Sequence, residues 1–307
     1  MNQISEVMTT LIHYKVVVRD TLEYTLPKDS YDVNLFKEKK RSILVEVDQP
    51  TPLKSILTNS AENGQKLEKT IRDFYDQVYG DSSTILKLAD DGIRVDHAQH
   101  LAIFHGVLPI HENVEAMIIG LTNDAKKNNV DVSAAVAVDL AEERLYRGVA
   151  YMTLVAQLVR LFGDYNQARR EAKGEETAAS RFIGNDINET IQNLNVIKAN
   201  SHLTDERFNS VQDKVFLLID FVTGRRDLPM GKGFNDVIKE TQDAIAGYVR
   251  EVEPAFREVY VPLINELVEQ AKADDNKIKG APAAAAPAIQ NAGEAAEIDP
   301  KTGMPKA

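Results

Sequence analysis

The sequence predicts an all-α protein, a bundle of about seven to ten helices with a less regular N-terminal part and a disordered C-terminal tail. Between Pro109 and Pro229 there is no proline in 119 residues, and helix interiors exclude proline. Apolar residues recur at the 3.6-residue helical spacing, and no stretch alternates over several strands. The content of 43% apolar and 27% charged residues is typical of a folded, soluble chain.

The first 110 residues carry the most interrupted pattern. Residues 1–24 predict a helix, whereas residues 41–47 fit a short strand and the end of a helix equally well. Thr51 followed by Pro52 is typical of an N-cap and a first helical residue. Residues 61–79 then predict an amphipathic helix.

A short helix is predicted next, because Asp96 and Gln99 resemble a capping box. We expect Gly106 to end this helix and Pro109 to open another one.

The middle of the chain predicts long helices. Ser133 opens one that is apolar around much of its circumference, which indicates a central, buried position. Residues 186–198 place their isoleucine and leucine side chains on one face. Thr204 is the predicted N-cap of the following helix, which has acidic residues in its first turn and ends at Gly224.

Toward the C-terminus, the sequence predicts a helix over residues 234–249 and a second one that begins at Pro254. Pro262 is expected to kink or split this second helix. Its apolar stripe is a candidate contact surface for a partner. The stripe consists of Phe256, Tyr260, Leu263 and Leu267.

Three segments follow from these patterns. Residues 1–50 form an N-terminal helix with an irregular segment, residues 51–275 a helical body, and residues 276–307 a flexible tail. The tail holds 10 Ala, 4 Pro and 3 Gly, and no Leu, Val, Phe or Tyr, so it has too little apolar surface to offset the entropy of ordering. A docking peptide around Ile298 is the alternative reading of the tail.

Charge and cysteine content exclude several kinds of site. The formal net charge is −11, which disfavours generic binding of polyanions. The chain has no cysteine, so disulfides, thiolate metal sites and cysteine nucleophiles are excluded. No secretory signal or membrane-spanning segment is evident, and we therefore expect a cytoplasmic protein or one incorporated in an assembly built there.

Four of the six histidines fall within 15 residues, with acidic residues among them. Imidazole and carboxylate groups bind zinc or iron and carry out acid–base chemistry near neutral pH. The His-Glu-x-x-His metalloprotease motif is absent, and the expected break between the two short helices means that convergence needs a helical hairpin. The candidate metal ligands are His97, His100, His105, His111 and Glu115.

Short basic runs are the candidates for phosphate contact. Arg169 with Arg170, and Arg225 with Arg226, are two such runs, and each is embedded in an acidic body. A third run follows Phe36, and a solvated surface is the alternative for all three. The candidate nucleic-acid contacts are Lys37, Lys39, Lys40 and Arg41.

Charged residues also interrupt the predicted central helix. Glu143 and Arg147 are four residues apart, in the favourable order for a helix salt bridge, and Glu142 and Arg144 lie beside them. If this helix is buried, some of these charges must pair inside the protein, where they fix the packing or mark an interface.

The function that these observations favour is that of a non-enzymatic helical structural or interaction protein, a component of a larger assembly that associates with itself or with a protein partner. No catalytic residues are identified, and no membrane partner is expected. The first alternative is a metalloprotein or hydrolase that uses the histidines at 97–111 with a transition metal such as zinc or iron. The second alternative is nucleic-acid binding through residues 37–41.

Overall fold

The computed structural model describes residues 3–20, 22, 47, 51–78, 97–199, 205–228 and 230–280. Within these ranges, the side chains at 61, 77–78, 97–105, 271 and 273–280 are not described. The described ranges form eight helices and contain no strand, which confirms the predicted all-α class. No helix among them is both long enough and apolar enough to cross a bilayer.

The helices are numbered in chain order. They are α1 (Gln3–Arg19), α2 (Pro52–Asn59), α3 (Ala61–Val78), α4 (His97–Lys127), α5 (Ser133–Glu171), α6 (Ala178–Ala199), α7 (Glu206–Val222) and α8 (Phe234–Gly280).

The 39-residue helix α5 occupies the centre of the packing, as the sequence predicts. It packs most extensively against α6, and it also contacts α1, α4 and α7. Leu154, Val155 and Leu158 near its middle are fully buried. Helix α1 packs against α4 as well as α5, while α3 packs against α4 and α2 against α3. The N-terminal helix is therefore part of the same hydrophobic core as the helical body.

Two helix starts test the predicted caps. The hydroxyl of Thr51 accepts a hydrogen bond from the Lys54 amide at 3.1 Å, and Pro52 is the first residue of α2, as predicted. Helix α7 instead begins one residue later than expected, with Asp205 rather than Thr204 as its N-cap. The Asp205 carboxylate accepts from the amides of residues 207 and 208, and it satisfies two donors that the first turn leaves free.

The expected break at Gly106 and Pro109 is wrong, because α4 runs through both residues. A Cβ atom on Gly106 would lie 1.9 Å from the ring of Phe74, so the glycine allows α3 and α4 to approach closely instead of ending a helix. Pro109 lies inside α4 at an exposed position.

The predicted division of the last helix at Pro254 is also wrong. Helix α8 is continuous over 47 residues, and both Pro254 and Pro262 lie inside it on exposed positions. A long helix tolerates such prolines where the carbonyls that lose their donors face solvent.

By its contacts the chain forms two compact units, Met1–Leu267 and Val268–Ala307. The boundary between the units lies inside α8, close to the predicted start of the tail. Of the other predictions, the assignment of residues 41–46, the cap at Asp96, the helix end at Gly80 and the whole tail after residue 280 fall outside the described residues.

Candidate functional site

A cluster of buried charges joins α1, α4 and α5, and we call it the charge cluster. Its centre is Lys15, whose side chain is fully buried. The Lys15 Nζ lies 2.5 Å from Glu115 Oε2 on α4 and 2.8 Å from Asp139 Oδ1 on α5. Glu143 Oε2 lies further away, at 3.8 Å. One ammonium group thus contacts carboxylates from both neighbouring helices.

Two further cations complete the cluster. Arg19, four residues after Lys15 on α1, donates a hydrogen bond to Glu142 on α5. Arg147 Nε lies 3.2 Å from Glu143 Oε1, which confirms the predicted pair four residues apart. Glu142, Glu143 and Arg147 of α5 therefore lie inside the protein and pair there, whereas Arg144 beside them is exposed.

His111 packs beside this cluster against an aromatic ring. Its imidazole stacks on Tyr146 with 3.6 Å between the ring centroids, and only 4% of the histidine is exposed. The His111 Nε2 lies 3.6 Å from Glu143 Oε2, too far for a good hydrogen bond.

Burial and charge change the proton affinities of the cluster. Burial raises the pKa of Asp139 to about 6 and that of Glu142 to about 7, against the opposing charges of Lys15 and Arg19. Burial alone would lower the pKa of Lys15, but the three carboxylates around it outweigh this effect and raise the pKa above its ordinary value. Burial, together with the nearby cations, holds the pKa of His111 well below its usual range, so the imidazole is neutral at pH 7.

The charge cluster acts mainly on the stability of the fold. Removing one member of such a buried pair leaves an uncompensated charge in the interior, which is strongly destabilising. Because Lys15 contacts α4 and α5 together, the charge cluster fixes the mutual position of three helices.

The predicted metal ligands lie on one helix. His97, His100, His105 and His111 all belong to α4, so the hairpin that their convergence requires does not form. At 1.5 Å rise per residue, His97 and His111 are about 21 Å apart along the helix axis. The side chains of the first three histidines lie outside the described residues, and for them metal binding stays a prediction. In the part of the chain whose side chains are described, no group of three or more His, Asp or Glu residues is placed to hold a metal ion.

The predicted contact stripe of α8 faces the chain's own core. Phe256 and Leu263 are buried, and Leu267 is half-buried. Tyr260 forms a 2.7 Å hydrogen bond with His13 of α1. Phe256 and Leu263 therefore pack within the protein, and a partner contact of the half-buried Tyr260 and Leu267 stays a prediction.

The basic runs have different surroundings. Residues 37–41 lie outside the described residues, so their role stays a prediction. Arg225 lies 3.5 Å from Asp220 and donates a hydrogen bond to Thr223. Arg169 and Arg170, by contrast, line a surface groove.

This groove, of about 780 Å³, lies where the end of α5 meets the start of α8, and we call it the α5–α8 groove. Its apolar floor includes Phe162 and Phe234, whose ring centroids are 4.9 Å apart. Val159 and Ile238 are half-buried beside them.

Three cations rim the α5–α8 groove. Arg169 is half-buried, and Arg170 and Lys173 are exposed. In the described part of the chain, none of the three has an acidic partner within ion-pair distance. Their place at the C-terminal end of α5 also suits the negative end of the helix dipole.

The turn after α5 holds Lys173 at the groove. Lys173 has a φ of 54° and Gly174 a φ of 89°, both in the left-handed region. The Gly174 amide donates to the Arg169 carbonyl at 2.8 Å, which closes the helix end. The cations are thus carried by a well-defined helix terminus.

Lys15, Arg19 and Asp139 belong to the charge cluster but are not among the residues predicted from the sequence. A signal was available, because Lys15 and Arg19 are charges four residues apart within an apolar run of α1, and such residues share one helix face. Asp139 is likewise four residues from Glu143 on α5, so these two residues also share one helix face.

Comparisons with protein-family models, with curated protein sequences and with solved structures find no match for this chain.

Proposed function

We propose that this protein is a non-enzymatic helical component of a larger assembly, and that its α5–α8 groove binds an acidic, partly apolar segment of a partner protein. The observation that carries this proposal is the combination of three cations without acidic partners and an apolar floor, in a chain of net charge −11.

The two parts of the groove favour complementary parts of one ligand. Aromatic and aliphatic side chains of a bound segment would cover Phe162 and Phe234, because burial of apolar surface drives association. Carboxylates on the same segment would pair with Arg169, Arg170 and Lys173. Charges arranged in this way raise association rates and exclude partners of the wrong sign.

The size of the groove supports a segment of a few residues. Ligand sites commonly have volumes of roughly 300–1,000 Å³, and the groove volume of about 780 Å³ falls in that range. Arginine pairs bidentately with carboxylates, so two adjacent arginines provide specificity as well as attraction.

The charge cluster supports a structural role for the rest of the helical body. Lys15, Arg19 and Arg147 each contact a carboxylate, so these charges stabilise one arrangement of α1, α4 and α5. A rigid body of this kind suits a protein that presents a binding surface.

Peptide selection tests the groove directly. The full-length protein is used to select from a displayed library of random 12-residue peptides. We expect the selected peptides to combine Asp or Glu with aromatic or aliphatic residues. The double variant R169E/R170E should lose binding of the strongest selected peptide by at least about tenfold, because two charge-assisted hydrogen bonds are lost.

The variant R225E/R226E is the matched control, because it makes the same change of charge at an exposed pair of adjacent arginines that does not line the groove. It should bind the peptide like the unmodified protein. Selection of basic peptides, or equal losses in the two variants, would contradict the proposal. Salt-dependent binding of a DNA or RNA duplex that R169E/R170E abolishes would favour a nucleic-acid partner instead.

Membership in an assembly has its own test. Size-exclusion chromatography with light scattering at several protein concentrations measures self-association. A strictly monomeric protein that also captures no partner in a pull-down would count against the assembly role.

A further inference from the structure

A second cavity, of about 190 Å³, lies beside the charge cluster between α4 and α5, and we call it the α4–α5 pocket. Its polar lining residues are His111 and Glu115 from α4 and Glu143 and Tyr146 from α5, with Glu112 on the exposed side. It is separate in sequence and in place from the α5–α8 groove.

Three buried polar atoms of this lining have no hydrogen-bond partner among the described residues. They are His111 Nε2, Glu143 Oε2 and Tyr146 Oη. His111 and Tyr146 are more than nine-tenths buried, at 4% and 3% exposure. Buried polar atoms in folded proteins nearly always have partners, and three that line one pocket indicate a site for a polar ligand.

The lining groups favour a ligand that donates hydrogen bonds. Ionised Glu115 and Glu143 can only accept, and a tyrosine hydroxyl can accept as well as donate. Neutral His111 has one ring nitrogen that accepts, and its pKa is held well below the usual range by burial and the neighbouring cations. The residues that line the pocket include no lysine or arginine.

The charge balance points to a cation. Behind the pocket, Lys15 and Arg147 are the two cations in contact with the three carboxylates of Glu115, Asp139 and Glu143. Among these five groups, one negative charge therefore has no matching positive charge.

Size and apolar walls restrict the cation further. An apolar cavity of about 150 Å³ holds benzene, so about 190 Å³ accommodates a molecule of roughly five to eight heavy atoms. The apolar part of the pocket wall is formed by Leu108, Ala116 and Ile197.

We propose that the α4–α5 pocket binds a small organic cation, a primary ammonium group on a short apolar chain. The three N–H donors of the ammonium bond to Glu143, Tyr146 and His111, and the apolar chain lies against Ala116 and Ile197.

Calorimetric titration of the full-length protein with n-butylammonium chloride at pH 8 tests this proposal. We expect saturable binding of one equivalent, with 1-butanol and butyrate at least about tenfold weaker, since neither carries the positive charge. The variant E143Q should weaken n-butylammonium about tenfold, and Y146F by a smaller factor.

Because Glu143 also pairs with Arg147, E143Q can fail to fold, and A116F is the second variant. Ala116 is exposed, belongs to no ion pair of the cluster, and lines the pocket, so a phenylalanine there should block binding in a folded protein. E175Q, in the exposed turn after α5, is the control and should bind normally. Absence of saturable n-butylammonium binding, equal binding of 1-butanol or butyrate, or unchanged binding by A116F would overturn the proposal. None of these results bears on the α5–α8 groove.

Discussion

The Nζ of Lys15 on α1 lies 2.8 Å from Oδ1 of Asp139 on α5, and the lysine side chain is fully buried. The same ammonium contacts Glu115 on α4, so one side chain joins three helices. Removal of one partner leaves a buried charge uncompensated, so we expect substitutions in the charge cluster to be strongly destabilising.

Lys15→Met should destabilise the protein by about 3–5 kcal/mol, because it leaves the carboxylates of buried Asp139 and half-buried Glu115 without their cation. Urea unfolding followed by circular dichroism measures the free energy of unfolding. Lys69→Met is the control, since Lys69 pairs with Asp73 on the exposed surface of α3 and should change stability little. Equal effects of the two substitutions would show that the cluster does not hold the helices together.

The stability of the unmodified protein relative to Glu142→Gln should fall as the pH rises from 5 to 7. Burial raises the pKa of Glu142 to about 7, above the roughly 4.3 of an unfolded chain. Between these values the folded state binds the extra proton, so stability decreases with pH. Urea titrations at pH 5, 6, 7 and 8 measure the difference.

Glu68→Gln is the matched control for this pH series. Hydrogen bonds from Lys54 and Arg72 lower the pKa of Glu68, so the carboxyl is ionised in both states above pH 5. Its difference from the unmodified protein should stay constant across the series. A constant difference for Glu142→Gln as well would contradict a raised pKa at that residue.

Gly106→Ala should destabilise the protein by about 1–3 kcal/mol, because the added methyl group would overlap the buried ring of Phe74. Gly120→Ala in the same helix should instead stabilise it by about 0.5–1 kcal/mol, since alanine is the better helix former and nothing lies within 4 Å of a Cβ there. Thermal unfolding of the two variants measures both changes in stability. Stabilisation by both alanines would mean that α3 and α4 do not approach at Gly106.

Asp205→Ala should lower the free energy of unfolding by about 1–2 kcal/mol, because the carboxylate caps α7. The same carboxylate accepts a 2.9 Å hydrogen bond from the Tyr248 hydroxyl on α8. Tyr248→Phe should therefore cost less in the Asp205→Ala background than alone, which a double-mutant cycle measures. The control is Asp213→Ala, at an exposed position inside α7, which should change stability little. If the effects of Asp205→Ala and Tyr248→Phe on the free energy of unfolding are additive, the two side chains do not contact each other.

The helical class could be predicted from sequence, because proline exclusion and apolar spacing are local properties of the chain. The helix limits at Gly106 and Pro254 could not be predicted in the same way. Whether a glycine ends a helix or permits a close approach depends on the facing residue, which here is Phe74. Whether a proline interrupts a helix depends on solvent access to the carbonyls around it.

The candidate sites likewise combine contacts that a local sequence pattern predicts with contacts that it does not predict. Spacing alone predicted that Glu143 and Arg147 pair, since both lie on one helix. The partners of Lys15 come from α4 and α5, 100 and 124 residues away in sequence, and no local pattern pairs them. The α5–α8 groove likewise depends on the meeting of two distant helix ends, so Arg169 and Arg170 looked like any other exposed basic pair.

The most direct test of the account is a charge exchange across the α5–α8 groove. An acidic peptide selected by the unmodified protein is compared with a version in which its Asp and Glu residues are replaced by Lys, by fluorescence polarisation against both the unmodified protein and R169E/R170E. We predict that the acidic peptide binds the unmodified protein, that R169E/R170E loses it by at least about tenfold, and that the lysine version regains binding to R169E/R170E. If the acidic peptide binds both proteins equally, the groove does not contact the partner's acidic residues and the proposed function is wrong.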